Sequence, residues 1–289
     1  MGYQGKTAIV TGGASGIGRA LSEELARRGA RVVIADRQTE LAAEIADTIP
    51  DARAVPLDVR DADAFAEAVG EVAQREGRVD LLFNNAGIGI GGEIRNHQLA
   101  DWTDTFDVNL LGVVHGIQAA YPVMIAQGGG HIVNTASMAG LVAMGNLAAY
   151  SATKHAVVGI SKALRIEGRA LGVRCSVLCP GAIDTPILHG GRYGRFRGLT
   201  KDVVEEMWRL TRPIPPSELA RETLDAVAKN EGIIIRPRAW KLLWWLERLS
   251  PDASIAFGQL VQRKLRERLA GVTADEAITS DEAPSRATP

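Results

Sequence analysis

Seven short apolar runs punctuate the first 237 positions, separated for the most part by stretches of helical periodicity. The runs are TAIV (7–10), RVVIA (31–35), AVPLD (54–58), VDLLF (79–83), HIVNTA (131–136), VRCSVLC (173–179) and GIIIRP (232–237). Most are continuously apolar rather than alternating, the pattern of strands covered on both faces. Between the first two, Ile17, Leu21 and Leu25 form a stripe of period 3.6; Phe65, Val69 and Val72 form another, and a long segment covers 99–126. This alternation predicts an α/β fold with a doubly wound, mostly parallel seven-stranded sheet. At 289 residues and 46 % hydrophobic content the chain can bury such a sheet. No linker interrupts residues 1–237, so they are read as one domain.

Two regions depart from the pattern. Residues 185–216 are rich in Gly, Arg and Pro around a helix expected at 202–210. Residues 238–270 read as two further helices, a C-terminal extension. The tail 271–289, poor in large apolar residues, is expected to be disordered. The extension holds Trp240, Trp244 and Trp245, and a stripe of Phe257, Val261, Leu265 and Leu269. From Arg236 to Leu269 there are eight Lys or Arg against three Asp or Glu. Trp beside Lys and Arg on an apolar helix suits a peripheral membrane contact, and the segment is too short to span a bilayer. A lid on a cleft or a contact with another subunit is the plainer reading of the same composition.

A net charge of −1 gives no global field for nucleic acid. Cys175 and Cys179 are too few for a disulfide framework and fit a reducing compartment. The N-terminus lacks the charged and then apolar order of a signal peptide. Lys6 stands where a myristoylation signal wants Ser or Thr. A cytoplasmic location is expected, with peripheral membrane association as the variant. The five histidines show no metal-ligand spacing, and no metal is expected.

After the first run comes TGGASGIG, with Gly12, Gly16 and Gly18 bringing backbone close and a helix starting near Ile17. Free N–H groups at that helix start suit a pyrophosphate. The second run ends in Asp36, about twenty residues on, where a carboxylate can take ribose hydroxyls. That charge repels a 2′-phosphate, so NAD is expected as cofactor. Arg37 beside it leaves NADP as the alternative, and Ser15, uncharged within the turn, leans toward NAD.

YSATK (150–154) places a phenol and an ammonium one helical turn apart. At about 5 Å and an effective dielectric of about 20 the attraction is roughly 3 kcal/mol, or about 2 pKa units in favour of phenolate. The expectation is a tyrosine brought toward neutral pH, fit to act on an alcohol or ketone.

Taken together, these motifs resemble the short-chain dehydrogenase/reductase family in its single-domain, unextended branch, a Rossmann fold. TGGASGIG, LDV (57–59), NNAG (84–87), DVNLLG around Asn109, Ser137 in NTASMAG, YSATK and PGAIDTP (180–186) match in order over roughly residues 3–237. The resemblance implies a catalytic set of Asn109, Ser137, Tyr150 and Lys154. It also implies cofactor contacts from Gly12, Ser15, Gly16, Ile17, Gly18, Asp36, Asp58, Val59, Asn85, Ala86, Gly87, Tyr150, Lys154, Pro180, Ile183 and Thr185. Ser137 would polarise the substrate oxygen, Tyr150 exchange its proton, Lys154 hold the nicotinamide ribose and Asn109 position a proton-relaying water. Thr185 would meet the carboxamide. The substrate would be a small-molecule alcohol or ketone; the apolar extension points to a bulky, steroid- or lipid-like one. The resemblance also implies a homo-oligomer, a tetramer or dimer, pairing the helices near 101–126 and 150–171. An NADP-dependent carbonyl reductase and a non-catalytic dinucleotide-sensing scaffold are the rival functions.

Overall fold

The computed structural model describes residues 2–190 and 193–281. The chain runs β1 (Thr7–Thr11), α1 (Gly16–Arg27), β2 (Arg31–Asp36), α2 (Thr39–Asp47), β3 (Ala52–Pro56), α3 (Ala62–Glu76) and β4 (Leu81–Asn84). It continues through β5 (Gly89–Gly92), α4 (Leu99–Phe106), a π-helical turn (Asp107–Leu111), α5 (Gly112–Ala126), β6 (Gly130–Thr135), α6 (Ala148–Gly168) and β7 (Val173–Pro180). Then follow β8 (Gly194–Arg197), α7 (Lys201–Thr211), α8 (Pro216–Ala228), β9 (Ile233–Arg236), α9 (Lys241–Leu249) and α10 (Pro251–Asp281).

Seven strands form one sheet in the order β3-β2-β1-β4-β6-β7-β9. All of its pairings are parallel. The seven apolar runs therefore became the seven strands because both faces are covered. On one face Phe65, Val69, Val113, Ile117, Val157 and Leu164 pack from α3, α5 and α6. On the other, Leu21, Leu25, Ala42, Ile45, Leu219 and Leu224 pack from α1, α2 and α8. The chain winds outward from β1 to β3, then returns to build from β4 in the other direction. The reversal lies between β1 and β4, and it opens a crevice at their carboxyl ends, where such sheets bind ligands.

Three differences from expectation matter. A second sheet pairs β5 with β8 in parallel, Gly89 opposite Gly194 through Gly92 opposite Arg197. GIGG has little strand propensity, so the pairing depends on tertiary placement. The third strand sits two residues earlier than its run, at Ala52–Pro56, which frees Leu57 to Val59 to face the crevice. Finally, α10 continues beyond Gly271 to Asp281, into the tail expected to be disordered. Low apolar content excludes a core but not a helix, and Ala and Glu favour one. Residues 282–289 lie outside the described residues.

Candidate active site

The glycine turn follows directly from β1. Gly12 and Gly16 hold φ of +62° and +52°, a region costly for residues with a Cβ. A Cβ on Gly12 would also lie 2.9 Å from the Ala86 Cα. On Gly18 it would strike the Gly12 carbonyl oxygen and lie 2.6 Å from Asn85 Nδ2. Backbone thus approaches backbone, and the start of α1 faces open space. Ser15 is the helix N-cap and makes no side-chain capping bond. Thr11 Oγ1 accepts from the N–H groups of Asn85 at 2.9 Å and Ala86 at 3.1 Å, tying the ends of β1 and β4 together.

At the end of β2 the Asp36 carboxylate is buried and held in place. Its oxygens accept from Ala14 N at 3.1 Å and Gln38 N at 3.0 Å. Asp58 pairs with Arg60 at 3.0 Å, and that guanidinium holds its carboxyl below the usual range. Arg37 is exposed and adds positive potential at Asp58.

Ser137 lies just beyond β6 and caps a 3₁₀ turn, Met138–Gly140, its Oγ accepting from Ala139 N at 3.1 Å. That turn packs on α6: a Cβ on Gly140 would sit 2.7 Å from the Lys154 carbonyl carbon. Tyr150 and Lys154 are therefore presented to Ser137 from successive turns of α6. Lys154 Nζ donates to the Thr135 carbonyl at 2.9 Å and stands 5.5 Å from the Tyr150 ring centroid. Burial pushes the Lys154 ammonium down to about 8. Burial also pushes the Tyr150 phenol up, partly offset by a hydrogen bond with Ser137. The expected downward shift of Tyr150 is therefore not what this cleft produces. Desolvation disfavours both charged forms and outweighs the attraction between ammonium and phenolate here.

Asn109 sits in the π-helical turn, fully buried. Its Oδ1 accepts from Ile88 N at 2.8 Å and its Nδ2 donates to Ile88 O at 2.9 Å. It grips the segment leading into β5. Its Oδ1 would lie 3.2 Å from a Cβ on Gly87, so the asparagine lies beside the cleft floor.

A cleft of about 270 Å³ joins these groups. Its lining includes every residue named from the sequence as catalytic or cofactor-binding except Gly18 and Asn109. Gly18 instead serves close packing behind the turn, and Asn109 supports Ile88 from below. Thr185, capping the 3₁₀ turn Pro186–Leu188, closes over Gly16: a Cβ there would lie 3.3 Å from Thr185 Cγ2. Beyond Ser137 the walls are Met138, Met144, Leu147, Phe196, Trp208 and Trp240. Tyr193, Phe196, Trp208 and Trp240 were not singled out as cleft residues by sequence. They come from irregular or peripheral segments whose periodicity says nothing about the cleft. Trp240 reaches it because Gly181 has no side chain; a Cβ would lie 2.6 Å from the indole Cε2. β8 is anchored by Arg197 Nε to Asp101 at 2.9 Å and Arg195 to Asp104 at 2.6 Å. Asp101 also accepts from Gln98 N at 3.0 Å, and the Arg197 hydrogen bond draws its carboxyl down to about 2.

A doubly wound sheet, a glycine cradle at its switch point and a tyrosine–lysine pair beside it define a dinucleotide-dependent oxidoreductase. Comparison with known proteins agrees. Residues 6–193 match the family model described as short chain dehydrogenase. D-threitol dehydrogenase of Mycolicibacterium smegmatis is 39 % identical over 236 residues, 79 % of this chain and 89 % of that protein. An uncharacterized oxidoreductase of Staphylococcus epidermidis is 32 % identical over 211 residues, 72 % of this chain and 92 % of that one. A short chain dehydrogenase/reductase from Burkholderia phymatum, solved in complex with NAD, superposes with a TM-score of 0.79 at 31 % identity, covering 88 % of this chain and 96 % of that one. A putative short-chain dehydrogenase from Novosphingobium aromaticivorans reaches a TM-score of 0.73 at 30 % identity and covers 96 % of this chain and 98 % of its own. The chain belongs to the short-chain dehydrogenase/reductase family. It is a nicotinamide-dinucleotide-dependent enzyme acting on CH–OH groups.

The residues present fit that cofactor. Gly12 and Gly16 line the cleft with bare backbone, and Asp36 retains lone pairs for hydroxyl donors.

Proposed function

We propose that the protein interconverts a bulky, hydrophobic secondary alcohol and its ketone, with NAD as cofactor. The observation that carries this reading is the apolar far wall of the cleft, closed by Trp240 from the C-terminal extension.

Ser137 Oγ already accepts the Ala139 N–H, so its own hydrogen can be donated to the substrate oxygen, orienting it and stabilising developing charge. Tyr150 exchanges the proton with that oxygen. Lys154 has one hydrogen engaged by Thr135 O and two left for ribose hydroxyls. Gly12 to Gly18 and the start of α1 take the pyrophosphate, and Asp36 the adenosine ribose. When bound, the dinucleotide would supply the hydride chemistry and, in its oxidised form, a positive charge favouring release of the proton that burial otherwise holds on Tyr150. Asn109, fixed on Ile88, orders the floor from which a water can relay the proton.

Steady-state assays with NAD and with NADP, read by absorbance of the reduced cofactor, test this across steroid, lipid-like, short aliphatic and polyol alcohols. Turnover fastest on a bulky apolar alcohol with NAD is expected. Preference for D-threitol, the substrate in the name of the Mycolicibacterium relative, would reject the hydrophobic reading, and preference for NADP would reject NAD. Asp36→Ala should weaken NAD and improve relative use of NADP, since both the ribose acceptor and the charge opposing a 2′-phosphate disappear. Unchanged preference would move cofactor choice to Arg37 or another group. Tight dinucleotide binding without turnover on any alcohol would favour the sensing scaffold.

A further inference from the structure

The two helices of the extension leave an apolar face uncovered. On α9, Leu242, Trp245 and Leu249 recur at spacings of three and four and are 79 %, 50 % and 81 % exposed. On α10, Phe257, Leu260 and Val261 are 48 %, 38 % and 49 % exposed. Leu243 and Trp244 of α9 do pack on the core, so the helix is seated on the molecule with its other side outward. Single exposed leucines need no explanation; two adjoining helices with several large ones do.

Basic side chains accompany this face. The Arg248 guanidinium lies 5.3 Å from the Trp244 ring and 5.9 Å from the Trp245 ring. Arg238 and Lys264 are exposed nearby in sequence, as is Arg263, which lies 3.8 Å from Glu267. Exposed Trp and Leu bordered by Arg and Lys match the layered chemistry of a bilayer surface: anionic headgroups outside, acyl chains within. A second copy of the chain is a poorer match. Pairing about a two-fold axis sets the same patch against itself, and a basic rim would meet an identical basic rim.

The hairpin is also coupled to the cleft. Gln262 of α10 exchanges two amide hydrogen bonds with Asn146, each 3.1 Å. Arg266 pairs with Glu93 at 2.7 Å. Asn146 lies between Met144 and Leu147, which line the cleft, Glu93 directly follows β5, whose Ile90 also lines it, and Trp240, one residue before α9, is part of its wall.

We propose that α9 and α10 form an anionic-lipid docking surface, which places the cleft beside the membrane from which an apolar alcohol or ketone can enter. Docking itself goes beyond the catalytic reading; only the route of entry rests on it. Vesicle binding is measured without turnover, so the two can fail separately.

The test is co-sedimentation of the full chain with vesicles of phosphatidylcholine, alone or with about a third phosphatidylglycerol. Binding to the anionic vesicles alone is expected, reversed by about 0.5 M salt, with a blue shift of tryptophan emission. The variant Leu249→Glu/Phe257→Glu should partition at least about tenfold less while keeping NAD binding and turnover of a short water-soluble alcohol. The emission shift of the unaltered protein decides the matter should the variant fold poorly. No sedimentation above a vesicle-free control overturns the proposal, as does equal binding by a folded double variant. A fall in oligomer mass in that variant, with no vesicle binding by the parent, assigns the face to a second copy instead.

Discussion

Replacing the Tyr150 phenol by a phenyl ring keeps the packing of the side chain and removes one hydroxyl. Tyr150→Phe should bind the dinucleotide as before and lose about 10² to 10⁴ in kcat, the range for a lost acid–base group. Fluorescence titration and steady-state rates measure the two separately, and near-normal turnover would reject the assigned proton route. A second residue, outside the site, ties stability to pH. His131 is fully buried on β6, its Nε2 2.8 Å from Ser176 Oγ and its Nδ1 without a partner among the described residues. Burial, helped by the positive charges of Arg174 and Arg165, pushes its pKa from 6.5 down to about 3. Between those values the unfolded chain binds a proton that the folded one does not. Stability therefore falls as pH drops through that window, by up to about 1.4 kcal/mol per unit. His131→Gln should flatten the dependence of the urea midpoint on pH between about 6 and 4. An unchanged slope would mean that other groups carry it.

At the scale of elements, loops and terminal helices assemble the cleft around a sheet that supplies its floor. The 3₁₀ turn after β6 presents Ser137, α6 presents Tyr150 and Lys154, and the π-helical turn places Asn109 under Ile88. The extension adds Trp240. Trp240→Ala should lower kcat/KM on a steroid-sized substrate by about tenfold and leave a short aliphatic alcohol and NAD affinity unaffected. Equal losses on both would show that the indole supports the Pro180–Gly181 backbone rather than the substrate. The stripe read on α10 behaves differently from a core stripe. Phe257 and Val261 are about half exposed, and the side chains of Leu265 and Leu269 lie outside the described ones. Periodicity showed that the helix has an apolar face but not what covers it.

For the whole molecule, the apolar surface of its long helices bears on how many copies assemble. Leu99–Ala126 is long and apolar enough to cross a bilayer by length and composition, yet Val113, Ile117, Ala120 and Met124 of this stretch pack into the core. Its remaining apolar residues include Phe106 and Leu111, 37 % and 43 % exposed. Ile166 on α6 is 77 % exposed. These helices leave apolar surface suited to a second subunit, and a dimer or tetramer is expected by light scattering at micromolar concentration. A monomer under those conditions would reject the assembly.

Strand–helix alternation was enough to specify the doubly wound sheet, because a strand covered on both faces must be apolar throughout and that composition is local. The glycine turn, Asp36, Ser137 and the Tyr150–Lys154 pair were legible for a related reason: each needs a residue type at a fixed spacing, and spacing survives in one dimension. Only the tertiary structure decided that β5 pairs with β8, since glycine-rich GIGG carries no strand preference and gains its partner through the loop after β7. It alone placed Trp208 and Trp240 in the cleft, and set Asn109 against the Ile88 backbone. It also reversed the expected direction of the Tyr150 shift. Charge separation along a helix can be read from residue numbers, but desolvation depends on every atom packed around the pair, and those atoms are contributed by segments far apart in the chain.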